Sequence, residues 1–102
     1  MLLQMLNKPQ KIQLIHPAGK KAVSINKGKY DVLKNSIMIY LKARGESTLA
    51  DMLQAITEDF KKNQINFEGS VAWHFEWVKL DLEARKEIKR ANDKTPIKYV
   101  IA

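Results

Sequence analysis

His74 is the one histidine that the sequence places on a helix, and Asp81 follows seven residues later on the same helix face. Two turns separate them, about 10 Å along the axis, which is too far for one metal ion. Glu76 belongs to a different side of that helix. Asp81 with Glu83, and Glu58 with Asp59, are carboxylate pairs in sequence only. Residues two apart on a helix diverge by about 200°, so Asp81 and Glu83 read as a solvated face. His16 stands before Pro17 at a turn and reads as structural or exposed. Ser24, Ser36, Ser47 and Ser70 lie in no nucleophile motif, and Gly19 and Gly45 form no loop that would cradle a phosphate. The chain has no cysteine, which removes disulfides, thiolate zinc sites and cysteine nucleophiles. The expectation is therefore a protein that is not an enzyme, with no cofactor, no metal and no identifiable small-molecule ligand.

Charge carries more information. The formal net charge is +7. Residues 1–30 hold six lysines and no acid, the middle of the chain is balanced, and residues 87–102 hold four bases against two acids. A basic excess at both ends suits an anionic partner such as nucleic acid. Solubility alone would also account for it.

The elements that must position these residues follow from patterning. A length of 102 residues and 45% hydrophobic content suit one domain over residues 11–102. Residues 1–10 form an N-terminal arm, whose apolar start Met1-Leu2-Leu3-Gln4-Met5-Leu6 reads as mobile or as a short docking segment. That start is too short for a signal-peptide core and lacks a preceding positive charge. No apolar run is long enough to span a membrane, and a cytoplasmic location is expected. Residues 11–16 and 21–25 are strand-like, joined through Pro17-Ala18-Gly19 as a three-residue hairpin loop. Asn26 caps a helix over 27–44 with the stripe Tyr30, Leu33, Ile37 and Leu41, and Gly45 stops it. Ser47 or Thr48 caps a second helix over 49–63, and Ser70 a third over 71–86. Residues 86–91 and 97–101 form a last hairpin around the turn 92–96. Three helices followed by a hairpin is the winged-helix order, so the expected fold is α+β: a three-helix bundle with a C-terminal β-wing, preceded by an N-terminal hairpin.

Two resemblances bear on this order. Leu82-Glu83-Ala84-Arg85-Lys86-Glu87-Ile88-Lys89-Arg90 resembles the Leu-Glu-x-x-Gly-x-Ile-x-Arg junction of many bacterial winged-helix regulators. That resemblance implies that Leu82 and Ile88 plug the core and that Arg90 opens the wing. Lys86 stands where the pattern has glycine, which puts its left-handed helix stop in question. Separately, His16-Pro17-Ala18-Gly19-Lys20, Lys29-Tyr30-Asp31 and Leu80-Asp81-Leu82-Glu83-Ala84 resemble the shared blocks of a bacterial family of small uncharacterised proteins. That resemblance implies a winged-helix-like fold and leaves the function unassigned.

The third helix departs from a DNA-reading helix. At 100° per residue, Val71, Phe75, Val78 and Leu82 cluster on one side. Trp73, Trp77, Leu80 and Ala84 cluster on nearly the opposite side, flanked by Glu76 and Glu83. Such a helix is expected between two packing partners, and its carboxylates disfavour insertion into a major groove. Three occupants suit the tryptophan side: the first hairpin or arm of the same chain, a dimer or partner surface, or single-stranded nucleic acid stacking on the rings.

Two functions remain. One is nucleic-acid binding to duplex DNA or another polyanion, as in a transcription regulator, through Lys20 and Lys21 of the first hairpin and Lys89, Arg90, Lys94 and Lys98 of the wing. The other is protein interaction or homodimerisation through Trp73, Trp77 and Leu80.

Overall fold

The computed structural model describes residues 10–102. The expected arm over 1–10, apart from Gln10, lies outside the described residues. The described chain is α+β, with three helices and two small antiparallel sheets. In order these are β1 (Lys11–Gln13), β2 (Ser24–Asn26), α1 (Lys27–Arg44), β3 (Ser47–Thr48), α2 (Leu49–Lys62), α3 (Val71–Ala84), β4 (Ile88–Arg90) and β5 (Lys98–Ile101). This layout is compatible with the order expected from the sequence. Among the described residues no helix is long and apolar enough to cross a membrane.

Each helix starts where a side-chain oxygen accepts an otherwise unpaired backbone N–H. Asn26 accepts from Lys29 N, Thr48 from Asp51 N and Ser70 from Trp73 N. The apolar stripes then meet in one core. Leu33, Ile37 and Leu41 of α1, Met52, Ile56 and Phe60 of α2, and Phe75, Val78 and Leu82 of α3 are buried together. Ile88 and Tyr99 close this core from the second sheet, and Leu14 and Ile25 from the first hairpin.

Four local expectations need correction. The first hairpin is not two strands around a three-residue loop. Its ladder pairs Lys11 with Asn26 and Gln13 with Ser24, extends by one bond from Leu14 N to Val23 O (3.0 Å), and then opens. Ile15 N–H leaves the ladder for Asp81 Oδ1 at 2.9 Å, while Gln13 Nε2 donates to Ala22 O at 2.9 Å. The Pro17-Ala18-Gly19 turn does form, with Gly19 N bonded to His16 O and Gly19 at φ 75°. Second, Ser47 and Thr48 are more than a cap. They form β3, whose pairing with Tyr99 and Lys98 of β5 makes a three-stranded sheet in the order β3-β5-β4.

Third, α3 ends at Ala84 rather than 86, and by the left-handed stop that Lys86 had put in question. Lys86 adopts φ 63°, Lys86 N bonds to Glu83 O (3.0 Å) and Glu87 N to Leu82 O (2.9 Å). These are the paired bonds of a Schellman motif, built on lysine instead of glycine. Fourth, the wing strands shorten to 88–90 and 98–101, because Asn92 organises the turn. Its Oδ1 accepts from Lys98 N (2.8 Å), and its Nδ2 donates to Lys94 O and Pro96 O.

Candidate functional site

Asp81 is the residue the sequence placed most wrongly. It is not on a solvated face: its exposure is 0%. Tyr30 Oη of α1 donates to Asp81 Oδ2 at 2.6 Å, Arg85 Nε donates to the same oxygen at 2.8 Å, and Ile15 N–H donates to Oδ1. Arg85 Nη2 reaches on to Gln13 O at 3.4 Å. A buried carboxylate is tolerable only when such donors surround it. Burial, with help from the Asp81 hydrogen bond, pushes the Tyr30 phenol well above its ordinary pKa. The Asp81 hydrogen bond likewise raises the Arg85 guanidinium. This node fastens the first hairpin to α1 and α3.

The node joins two of the three blocks of the small-protein resemblance and borders the third. Tyr30 lies in one and Asp81 in another, and the third holds His16, the next residue after Ile15. A signal was present in the sequence. Asp81 sits about 60° from Val78 and about 40° from Trp77 on the helical wheel, between the two apolar sides of the helix rather than opposite both. The donors could not be read, because two of them arrive from 51 and 66 residues away.

The tryptophan side of α3 is split. Trp77 is half-buried, and the His16 ring of the first hairpin meets it edge-on, with ring centroids 6.5 Å apart. Of the three expected occupants, the same chain's hairpin therefore takes this part. Leu80 is also half-buried. Trp73 remains 47% exposed, with edge contacts to Trp77 (6.4 Å) and His74 (4.9 Å). His74 continues the aromatic row to Phe67, which stacks on Phe60. His74 Nδ1 lies 2.7 Å from Ser70 O, a carbonyl that can only accept, so Nδ1 is the donor. Among the described residues no group of three His, Asp or Glu could hold a metal ion.

Glu83 departs from its expected place beside the tryptophans, in the open. Its side chain is nine-tenths buried under the wing, with Oε1 3.8 Å from Lys79 Nζ and 3.9 Å from Arg90 Nε. Lys79 is itself buried, its ammonium 5.2 Å from the centre of the Tyr99 ring. Glu76 stays exposed.

The basic candidates divide by strand geometry. Side chains alternate across a sheet. Arg90 pairs with Tyr99, which is buried, and its Nε lies 3.9 Å from Glu83 Oε1 while the side chain itself stays exposed. Lys89, one residue earlier, lies on the other face, where it pairs with Val100 next to the register position of Lys98. Lys94 stands in the Asn92 turn. Lys20 and Lys21 follow the Gly19 turn of the first hairpin. Lys20, Lys21, Lys89, Lys94 and Lys98 are all exposed, and none forms an ion pair among the described residues. Arg90 therefore separates from the set with which the sequence grouped it.

Residues 11–99 match the model of a family of unknown function, DUF6958, and the chain belongs to that family. No curated protein and no solved structure matches it.

Proposed function

We propose, starting from membership in a family whose description assigns no activity, that this chain is a winged-helix-like module in a cytoplasmic setting. It binds duplex DNA or a comparable polyanion through its hairpin lysines and has no catalytic role. The observation that carries the reading is the pair Lys89 and Lys98 on one face of the wing, with Lys94 at its turn and no carboxylate partner among the described residues. Lys20 and Lys21 add a second basic edge. Helix α3 takes no part as a reading helix. Its C-terminal half is covered by α1, by the first hairpin through Asp81, and by the wing through Lys79. Its open N-terminal half, the part of a reading helix that meets base edges, presents Trp73 and Glu76, and a carboxylate there is repelled by phosphates. Bonds made by wing lysines would fall on phosphates, which position a protein without reading sequence.

The test is a duplex titration across salt concentrations. Binding should weaken as salt rises, and Lys94→Ala with Lys98→Ala should reduce the log–log salt slope by about 1 for each phosphate that is no longer neutralised. No measurable duplex binding at low salt would overturn the reading.

Trp73 favours a second reading, a protein or homodimer contact, because a half-exposed tryptophan in an edge stack is a strong anchor for an interface. Trp73→Ala should then loosen a concentration-dependent dimer in sedimentation. A monomer at every concentration removes the homodimer.

A further inference from the structure

Away from the lysines and from Trp73, α1 carries an apolar row that its own bundle leaves uncovered. Val32, Ser36 and Ile39 are four and three residues apart and so share one helix side. Val32 is 39% exposed and Ile39 59%. Two hollows flank this row. A lower one of about 310 Å³ lies between Val32 of α1 and Ile65 and Phe67 after α2, with Asn26 and Gly28 at its edge. An upper one of about 380 Å³ lies between Ile39 and Tyr40 of α1 and Ala55 and Ile56 of α2. The upper one follows the seam between α1 and α2, and the lower one continues it between the start of α1 and the loop after α2.

The chain before the described residues leaves at the lower end of this seam. Lys27 N donates to Gln10 O at 2.8 Å, and Lys11 pairs with Asn26. Gln10 is therefore held beside Asn26 and Gly28, at the rim of the lower hollow. The residues that precede it include Leu2, Leu3, Met5 and Leu6, with Gln4 the one polar side chain among the first six. Four peptide steps separate Leu6 from Gln10, an extended reach of about 13 Å. Seven residues of α1 rise about 10 Å from Val32 to Ile39. A segment of six apolar-rich residues is thus long enough to run past both. Each hollow is rimmed by one acid and one base, Glu68 with Lys29 below and Asp59 with Arg44 above, a balance that leaves the apolar side chains to select the occupant.

We propose that residues 1–6 of the same chain dock along this seam, seating their leucines against Val32 and Ile65 below and Ile39 above. The apolar start of the sequence then covers the apolar side of α1.

The chain has no cysteine, so Gln4→Cys in the full-length protein accepts a single nitroxide label. The readout is paramagnetic broadening of the methyl signals of Val32, Ile39 and Ile65. Broadening is expected when label and isotopes are on one chain. It should vanish in a mixed sample, where isotope-labelled protein without nitroxide meets nitroxide-labelled protein without isotopes. Adding Leu3→Ser and Leu6→Ser should relieve the broadening with the methyl signals of the core residues Leu33 and Ile37 unmoved. Broadening that persists in the mixed sample would mean that copies exchange the segment, and would overturn docking within one chain. Broadening confined to other methyls, none at all, or broadening indifferent to the serine changes would overturn the proposal as well.

Discussion

On α3, Glu76 and Asp81 are carboxylates five residues apart, each followed within four positions by a base. Glu76 lies in the open half with Ala72 and Trp73, its oxygen 3.8 Å from Lys79 Nζ. Asp81 lies in the enclosed half and receives hydrogen bonds from α1, from the first hairpin and from Arg85 just past the end of its own helix. Residue type and local spacing are nearly the same, so neither accounts for the difference. What differs is the supply of donors from distant segments. A carboxylate that loses water in a core needs donors there, whereas Glu76 keeps its water and gains little from Lys79 at 3.8 Å.

The strongest way to break this comparison is Asp81→Ala. It leaves the Tyr30 hydroxyl and the Ile15 N–H unpaired in the interior and should cost about 3–5 kcal/mol in denaturant unfolding. A loss no larger than that of a surface change would mean that the enclosed half does not depend on its polar node. Tyr30→Phe sharpens the point by removing one donor, at about 1.5–3 kcal/mol for a hydrogen bond to a charged group. It also has a pH signature. The raised Tyr30 pKa means that the native state holds the phenolic proton more tightly than the unfolded chain does. That stability is fully present below tyrosine's ordinary pKa of about 10 and is lost as pH rises above it towards the native value. Unfolding followed between pH 8 and alkaline pH should show this loss in the parent and a flatter profile in Tyr30→Phe.

Lys86→Gly tests how the enclosed half is terminated. A non-glycine residue in the left-handed region costs roughly 1–2 kcal/mol, so glycine should stabilise the protein by about 1 kcal/mol and raise the melting temperature. In the open half, Glu76→Gln should change stability by less than about 0.5 kcal/mol, the smallest effect of the set.

Much of the scaffold was legible. The stripe Tyr30, Leu33, Ile37 and Leu41 is buried as its spacing requires. The caps Asn26, Thr48 and Ser70 act within three residues of themselves, a range that a linear reading covers. The end of pairing beyond Leu14 was not legible, because it depends on Ile15 turning its N–H to a carboxylate 66 residues away. The strand at Ser47 was hidden for a similar reason: two residues carry no periodicity, and pairing with Tyr99 alone defines them. The basic residues fall between these cases. Their number and exposure follow from charge, but the division between Lys89 and Arg90 depends on which face of the sheet meets Glu83.

The sequence by itself determined the order of the elements apart from β3, where the helices begin, and which apolar side chains form the core. Those outcomes rest on helix periodicity and on capping bonds between near neighbours. Only the tertiary structure decided that Asp81 is enclosed while Glu76 is open, that a lysine ends α3 in a glycine conformation, and that Arg90 comes within 3.9 Å of the Glu83 carboxylate. Each of these depends on partners brought together by the fold, because the free energy of a buried polar group is set by the donors around it and not by its own position in the chain.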